Sequence, residues 1–285
     1  MPAIVAKVTN SMPTQPRTSF PAQPLGISQG ARAAQTIPRT VVALAMDYQE
    51  GEQVASHFHP RAQLVYGVSG VMQVQTPDSV WTLPPQRALW IPPNVPHQIN
   101  MMSPVNMRTI YVEQSAAEQL GTRVKAISVS GLMRELILSL LAQPMEYPVP
   151  GRGEHMAILL LMEIAEAGTL AVDIPWPRDR RLQTACQAIM KAPGTPRTME
   201  QLAEMAGASP RTLIRLFPRE TGLKYHQWCQ QVHLSDALCR LARGESIARI
   251  AAALGYASPS AFSAMFRRAL GAAPSQYMTP AEPAE

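Results

Sequence analysis

The chain has 285 residues and a formal net charge of +5 at pH 7, with 46% hydrophobic and 16% charged residues. This length allows about two domains, and the apolar content is enough for each domain to bury a core. No apolar run is long enough to span a bilayer, and no segment resembles the apolar core of a secretion signal. We therefore expect a cytoplasmic protein without a membrane partner.

The amino-acid composition and its pattern change near residue 38. Residues 1–38 are rich in Pro, Ser, Thr, Gln and Ala without periodicity, which predicts a flexible tail. Residues 39–114 contain short runs rich in Val, Ile, Tyr and Trp, separated by Gly, Pro, Asn and Asp: VVALAMDY, QLVYGV, VMQVQ, ALWIPP and MRTIYVE. Many short strands with turn signals predict a β-sandwich or barrel.

Three histidines and a glutamine have regular spacings inside this predicted barrel. His57 and His59 are two residues apart on one strand, so both side chains point to one face, where His97 from a neighbouring strand can meet them. The whole pattern resembles the two sequence motifs of the cupin barrel, a jelly roll, and comprises Gly51, His57, His59, Gln63, Gly70, Pro92, Asn94 and His97. Gln63 takes the place of that family's metal-binding Glu, and Asn94 replaces a turn glycine.

Three interpretations of this cluster remain open on the sequence. Three imidazoles suit a divalent transition metal such as Zn, Ni, Fe or Cu, with Gln63 as a neutral, weaker ligand. Alternatively, the histidines form a hydrogen-bonded wall of an organic-ligand pocket, which Tyr66, Met72, Trp81 and Trp90 would line. In the third interpretation the histidines are structural, and the aromatic residues are barrel core.

Residues 115–172 form a predicted helical segment. Apolar residues recur at helical spacing in two stretches, separated by the proline-containing residues 143–153. These apolar positions are Leu132, Met133, Leu136, Ile137, Leu140 and Leu141, then Ile158, Leu159, Leu161, Met162 and Ala165. We expect one helix to pack on the barrel and the other to form a homodimer contact. The sequence DIPWPRD, residues 173–179, is the predicted interdomain linker.

A phrase occurs twice in residues 180–280, the predicted all-α domain. LAEMAGASPRTLIRLFPRETG begins at Leu202, and IAAALGYASPSAFSAMFRRALG begins at Ile250. Each copy predicts a helix, a glycine turn and a second helix with Ser as N-cap and Pro as first residue. The copies predict two helix-turn-helix units, residues 198–219 and 246–269.

The outward side of each second helix predicts contacts to double-stranded DNA. Arginine can pair bidentately with guanine, while Thr and backbone amides at the cap suit phosphates or bases. From Arg178 onward the chain has fourteen Lys or Arg and eight Asp or Glu, a net charge of +6 that favours phosphate binding. The alternative is a solvated charged face. The predicted DNA-contact residues are Ser209, Arg211, Thr212, Arg215, Arg219, Ser258, Ser260, Ala264, Arg267 and Arg268.

The stretch IARIAAALGYASPSAFSAMFRRALGAAPSQY resembles the C-terminal signature of AraC/XylS-type transcription regulators. The resemblance implies two helix-turn-helix units joined by a long helix, here residues 225–242, that enter successive major-groove segments about 34 Å apart. It also implies an N-terminal cupin sensor for a small-molecule effector and a homodimer. Activation, with RNA polymerase as a partner, is the commoner behaviour in the family.

Two departures from the family pattern affect the DNA contacts that we expect from each unit. Ala264 and His233 stand where the family often has Arg. With Ser260, Ala261 and Ala264, the second unit has few groups that can read a base edge. We expect the first unit to discriminate sequence and the second mainly to hold the backbone, although alanine can contact a thymine methyl.

The three cysteines lie on predicted helices of the C-terminal domain. Cys186, Cys229 and Cys239 show no Cys-x-x-Cys spacing, which favours reduced thiols over a zinc site or redox pair.

The predicted fold class is α+β multidomain: a cupin-like jelly-roll barrel, a helical dimerisation segment and an all-α double helix-turn-helix domain. The predicted function is a ligand-responsive, sequence-specific transcription regulator without catalysis. An alternative is a metal-dependent cupin enzyme, an oxygenase or isomerase, fused to a DNA-binding domain; Gln63 in place of Glu disfavours it. A further alternative is an architectural DNA-binding protein whose barrel is only a dimer scaffold.

Overall fold

A computed structural model describes residues 23–24, 28–170 and 173–277 of the chain. Most of the predicted tail and residues 278–280 of the predicted DNA-binding domain lie outside the described residues. Among the described helices, none combines the length and hydropathy needed to cross a bilayer.

The N-terminal half of the described chain is built from β-strands. Twelve strands lie in the described residues: β1 (Gln23–Pro24), β2 (Val41–Tyr48), β3 (Gln53–Phe58), β4 (Ala62–Ser69), β5 (Met72–Gln75), β6 (Ser79–Leu83), β7 (Arg87–Ile91), β8 (His97–Met101), β9 (Val105–Val112), β10 (Lys125–Ser128), β11 (Thr169–Leu170) and β12 (Asp173–Pro175). They form two six-stranded sheets, ordered β1-β3-β8-β5-β6-β12 and β11-β10-β7-β4-β9-β2. All pairings are antiparallel except that of β1 with β3.

The two sheets enclose one apolar core. Met72, Val74 and Ile99 from the first sheet cluster with Val65 and Leu89 from the second. Alternate residues of β4 point the other way, because successive side chains on a strand face opposite sides. Leu64 and Tyr66 therefore belong to a separate cluster that lies beneath helices.

The helices occupy the outer face of the second sheet and the C-terminal third. Ten α-helices lie in the described residues: α1 (Gln29–Ala34), α2 (Gln114–Ala117), α3 (Gly131–Leu141), α4 (Arg152–Glu166), α5 (Arg180–Lys191), α6 (Met199–Met205), α7 (Pro210–Thr221), α8 (Tyr225–Ala242), α9 (Ile247–Ala253) and α10 (Pro259–Leu270). Short 3-10 helices span Glu118–Leu120 and Pro274–Tyr277.

The sheets extend beyond residue 114, where the sequence placed the end of the barrel. Strand β10, inside the predicted helical segment, pairs with β7, and β11 pairs with β10. Strand β12 falls in the predicted linker and pairs with β6, and the next residue, Trp176, is only 8% exposed. These strands have two to four residues, too few for an alternating pattern in the sequence. Their pairing depends on backbone hydrogen bonds to residues far away in sequence.

The predicted tail also contains structure, since residues 29–34 form α1. Ala31 and Ala34 are buried against the barrel with Val42 and Tyr111. Arg61, only 8% exposed, donates hydrogen bonds to the carbonyl oxygens of residues 37 and 39 at 2.7 and 2.8 Å. The buried guanidinium thus fastens the segment after α1 to the barrel.

Both predicted helices of the middle segment form, but the packing differs from the prediction. Helix α3 buries Met133, Leu136, Ile137 and Leu140, as the spacing indicates. Helix α4 buries Met156, Ala157, Leu160 and Ile164, and of the predicted apolar positions only Leu161 packs partly against this core. Ile158, Leu159 and Met162 are 52%, 46% and 55% exposed. Both helices therefore pack on the barrel, and α4 keeps an apolar outer face.

The C-terminal domain has two helical cores joined by α8. Trp228 and Val232, in the first half of α8, belong to the core of α5, α6 and α7. Leu234 to Leu241, in the second half, supply four residues to the core of α9 and α10. The helix has the bounds predicted from the sequence, and it gives each helix-turn-helix unit part of its core.

Helix α8 also contacts the barrel. Ser235 Oγ lies 2.6 Å from Thr82 Oγ1 and accepts a hydrogen bond from Gln73 Nε2 at 3.0 Å. Cys239 packs on Val71 and Met102. Trp228 Nε1 donates to Pro175 O at 2.8 Å, so the linker region is also held by this helix.

Two glycines of the barrel motif give a matched test of the fold. Both have a left-handed backbone, with φ +81° at Gly70 and +85° at Gly51. A Cβ added at Gly70 would lie 2.0 Å from Pro104 O, whereas a Cβ added at Gly51 would have no atom within 4 Å. We expect Gly51→Ala to cost about 1 kcal/mol of unfolding free energy, and Gly70→Ala about 2–4 kcal/mol, because overlap adds to strain. Urea denaturation measures both; equal losses would contradict the close approach at Gly70.

Candidate functional site

The predicted histidine cluster forms inside the barrel. His57 on β3 and His97 on β8 are direct cross-strand partners, next to a bulge between Val54 and His57. His59 follows the end of β3 and lies with its ring centroid 5.2 Å from that of His97, while the rings of His57 and His97 are 4.3 Å apart. One ring nitrogen from each histidine lies within 4.8 Å of the others.

Backbone carbonyls orient all three imidazoles. The Nδ1 atoms of His57, His59 and His97 lie 2.8, 2.7 and 2.9 Å from the carbonyl oxygens of residues 55, 61 and 95. A carbonyl can only accept, so each Nδ1 donates and each Nε2 keeps its lone pair. Burial lowers the pKa of all three histidines, that of His97 well below its ordinary value, which keeps the imidazoles neutral.

Gln63 on β4 completes the cluster. Its Nε2 donates to Thr109 Oγ1 at 2.8 Å, and its Oε1 lies 3.0 Å from Nε2 of both His59 and His97. With the tautomers above, no proton stands between the amide oxygen and these two nitrogens. A cation held by the four acceptors removes the repulsion; so does a flipped amide, whose NH₂ then donates to both histidines.

The donor set fits a divalent transition metal. Neutral imidazole nitrogens are the preferred ligands of such ions, and metal-bound histidines usually donate their other N–H to a carbonyl or carboxylate, as all three do here. His57, His59, His97 and Gln63 would hold the ion. The Thr109 hydroxyl would keep the amide oxygen of Gln63 directed towards it.

The cavity beside the cluster is small. A cavity of about 20 Å³ adjoins His57 and Gln63, beneath α1. That volume holds about one water molecule. Met72 and Trp81 pack in the barrel core, and Tyr66 and Trp90 pack under α3 and α4, so the interpretation of these residues as core is confirmed.

Asn94 explains how the second motif works without its glycine. Its backbone φ is +60°, the left-handed region in which Asn is tolerated better than most residues. Its N–H donates to His59 O at 2.9 Å. The turn therefore closes over the residue that carries one of the inward-facing imidazoles.

The first helix-turn-helix unit presents its predicted residues on α7. Ser209 caps the helix by accepting from the Thr212 N–H at 3.2 Å, and Gly207 makes the preceding turn with φ +60°. Arg211 and Arg215 are exposed, one turn apart. Arg219 lies in the last turn, where it pairs with Glu220 at 3.0 Å.

The second unit repeats the geometry with smaller side chains. Ser258 Oγ accepts from the Ala261 N–H at 3.1 Å, and Gly255 has φ +75°. Ser260 and Ala264 are exposed on the first two turns of α10, and Arg267 and Arg268 are exposed on the last turn. The two cations of this helix thus lie at its C-terminal end.

The sequence analysis did not identify one exposed residue of α7. Ile214 is 58% exposed, between the two exposed arginines Arg211 and Arg215. The apolar core beneath this helix is supplied by Leu213, Leu216 and Phe217 instead. The spacing of 211, 214, 215 and 218 on one face was the signal available in the sequence.

Two family models match the chain. A helix-turn-helix domain model matches residues 202–279, and an AraC-like ligand binding domain model matches residues 41–149. The HTH-type transcriptional regulator NimR of Escherichia coli K12 is 30% identical over 222 residues, which cover 78% of this chain and 81% of NimR. The chain belongs to the AraC family of transcriptional regulators. It is a DNA-binding regulator with a ligand-binding domain of the AraC type.

A second relative and a solved structure are also similar to the chain. The HTH-type transcriptional activator RhaR of Klebsiella pneumoniae is 28% identical to this AraC-family regulator, over 44% of this chain and 47% of RhaR. Among solved structures, ToxT from Vibrio cholerae aligns with 84% of this chain and 98% of its own, at 12% identity and a TM-score of 0.35.

The cysteines of this AraC-family regulator are free thiols inside the DNA-binding domain. Cys186 and Cys239 are buried and Cys229 is partly buried. Burial raises the pKa of Cys229 to about 11 and that of Cys239 to about 12, and it raises that of Cys186 as well. Such thiols carry little thiolate at neutral pH and are poorly suited to redox sensing.

Exchange of Gln63 tests whether the four acceptors bind a metal. In Gln63→Glu a carboxylate faces three neutral imidazoles and compensates the charge of an ion, so we expect Zn²⁺ affinity to rise at least about ten-fold. Competition with a chromophoric chelator measures the affinity, and thermal unfolding with and without Zn²⁺ gives a second readout. The control is Gln98→Glu, beside His97 but on the other side of β8. If neither wild type nor Gln63→Glu binds Zn²⁺ in the competition assay or changes its thermal unfolding with Zn²⁺, the cluster is hydrogen-bonded and the Gln63 amide is flipped.

Proposed function

We propose that the protein is a cytoplasmic, homodimeric transcription regulator in which α7 reads sequence and α10 holds the DNA backbone. The observation that carries this division is the difference between the exposed faces of the two helices. Helix α7 exposes Arg211, Ile214 and Arg215 together, whereas the corresponding turns of α10 expose Ser260, Ala261 and Ala264.

The chemistry of the α7 face suits the major groove. Arg211 and Arg215 can each pair bidentately with guanine, and Ile214 between them offers an apolar contact for a thymine methyl group. Together the three side chains favour a half-site with guanine and thymine at neighbouring positions. Thr212 and the Ser209 cap suit a backbone phosphate.

The chemistry of the α10 face suits the phosphate backbone. Ser258 at the cap and Arg267 and Arg268 in the last turn are positioned at the two ends of the helix. A cap hydroxyl at one end and two cations at the other favour phosphates of the groove walls rather than base edges in the groove floor. Ala264 retains a weak apolar contact to thymine. Arg219 joins this backbone-binding set, because it lies in the last turn of α7.

The homodimer contact is assigned to the outer face of α3 and α4. Leu132, Ile158, Leu159 and Met162 are each about half exposed, and they belong to two helices that pack against each other. Burial of these apolar side chains against a second copy removes them from water and places two DNA-binding domains in one particle.

The histidine cluster is assigned a structural role in the barrel. A catalytic metal needs an open coordination position for substrate, and the space beside His57 and Gln63 is about 20 Å³. This restriction disfavours the alternative of a cupin oxygenase or isomerase. A ligand that regulates DNA binding must instead favour one arrangement of barrel and DNA-binding domains over another. If the regulator activates, RNA polymerase is a further partner.

Two arginine variants test the division between the units. We expect Arg215→Ala to weaken binding to the selected site by about 1–3 kcal/mol and to relax base preference in one half of it, because a bidentate base contact is lost. Arg268→Ala is expected to weaken specific and random DNA alike and to lower the salt dependence by about one phosphate contact. Selection from random DNA, followed by fluorescence anisotropy at several salt concentrations, measures both. Identical behaviour of the two variants on specific and random DNA would contradict the asymmetry.

Introduction of negative charge on the outer face of α4 tests the dimer contact. In the double variant Ile158→Glu, Met162→Glu, two carboxylates per protomer would have to be desolvated at the interface, so we expect the dimer dissociation constant to rise at least about ten-fold. Sedimentation velocity measures it, with Lys191→Glu on α5 as the control for a charge change elsewhere. A double variant that folds and stays dimeric would assign the contact to another surface.

A further inference from the structure

The DNA-binding domain contains a cleft of about 490 Å³ between its two helix-turn-helix units. Three segments form its walls: the loop between α5 and α6, the first half of α8, and the turn between α9 and α10. The first wall immediately precedes the first unit, and the third wall belongs to the second unit. A molecule in the cleft would therefore touch both units at once.

The floor of the cleft is where the two units meet. A Cβ at Gly194, in the loop after α5, would lie 1.6 Å from Ala253 O at the end of α9, so the two backbones touch. His233 of α8 lies with Nε2 3.0 Å from Pro193 O and Nδ1 3.4 Å from the Tyr256 hydroxyl. One imidazole thus joins the loop before the first unit to the turn of the second.

The walls combine one cationic side chain, Arg197, with two imidazoles and apolar groups. Arg197, His226 and His233 line the cleft, and no carboxylate belongs to the described residues that line it. Of the Arg197 guanidinium nitrogens, only Nη1 has a hydrogen-bond acceptor among the described residues, Ala192 O at 3.2 Å. The remaining donors can bind an anion bidentately.

The apolar part of the lining lies beside these donors. It consists of Ile189, Leu254 and Met265, with the rings of Tyr225 and Tyr256. The volume falls within the range of about 300–1,000 Å³ typical of small-molecule sites, which are mostly apolar with few polar groups that orient the ligand. The barrel, by contrast, offers about 20 Å³ beside its histidines.

We propose that this cleft binds a small amphipathic organic anion, with its charged group on Arg197 and its apolar body between Tyr225, Tyr256 and Met265. Because the occupant contacts both units, it fixes their relative orientation and thereby the fit of α7 and α10 to successive major grooves. The site lies outside the ligand-binding domain and adds a second point of control. It rests on the proposed function, since its effect is read in DNA affinity.

The first experiment uses the full-length protein and two fluorescent probes of nearly the same shape. Anilinonaphthalene sulfonate carries a negative charge, and N-phenylnaphthylamine does not. We expect the sulfonate to bind with micromolar affinity, Arg197→Gln to weaken it at least about ten-fold through loss of the charge-assisted contact, and the neutral probe to be insensitive to that change. Arg249→Gln, an exposed arginine of α9 outside the cleft, is the matched control.

Competition distinguishes an amphipathic ligand from a simple anion. Naphthoate should displace the bound sulfonate probe, whereas inorganic phosphate at the same concentration should not. Displacement by phosphate alone would overturn the apolar part of the proposal. Equal binding of the sulfonate to wild type and Arg197→Gln would place the probe elsewhere, such as on the exposed face of α4, and would overturn the site.

A second variant separates the cleft from general effects on folding. Gln230 lies half-buried on the wall formed by α8, and Gln230→Trp fills part of the cleft without removing a core residue. We expect it to abolish sulfonate binding and to make DNA affinity independent of naphthoate, while wild-type affinity changes at least about three-fold with naphthoate. If wild type binds DNA sequence-specifically but naphthoate does not change its affinity, the cleft proposal is contradicted and the proposed function is not. If wild type shows no sequence-specific DNA binding, the proposed function itself is contradicted.

Discussion

Helix α8 carries three sets of contacts on eighteen residues, and the arrangement of the whole molecule depends on it. Its first half completes the core of one helix-turn-helix unit through Trp228, and its second half completes the core of the other through Leu238. A third side, at Ser235 and Cys239, packs on the barrel. Because the same rigid helix is shared, neither unit can move relative to the other or to the barrel without breaking buried contacts.

This sharing gives a physical route between ligand and DNA. The cleft adjoins the first half of α8, where Cys229 and His233 lie, and the barrel adjoins the second half. An occupant that favours one position of α8 changes both the spacing of α7 and α10 and the barrel contact. Such coupling is reciprocal, so DNA would change ligand affinity by the same factor.

In the histidine cluster and on helix α7, the chemistry of a side chain depends on the residues that surround it in the fold. Three imidazoles at His57, His59 and His97 become a candidate metal site only because backbone carbonyls hold every Nδ1–H outward. Arg219 looks like Arg215 in sequence, yet Glu220 neutralises it in part. Exposure distinguishes Ile214 from the buried apolar residues around it on α7.

Much of the C-terminal domain could be predicted from the sequence, because its signals are local. Ser209 and Ser258 as caps, Gly207 and Gly255 as left-handed turns, and the bounds of α8 all depend on residues within a few positions. The approach of His57 to His97 followed from motif spacing. The edge strands β10, β11 and β12 could not be predicted, since their pairing uses backbone groups far away in sequence. The exposed face of α4, the direction of the Gln63 amide and the cleft between the units were also decided only by tertiary packing, which sets burial and brings distant donors and acceptors within reach.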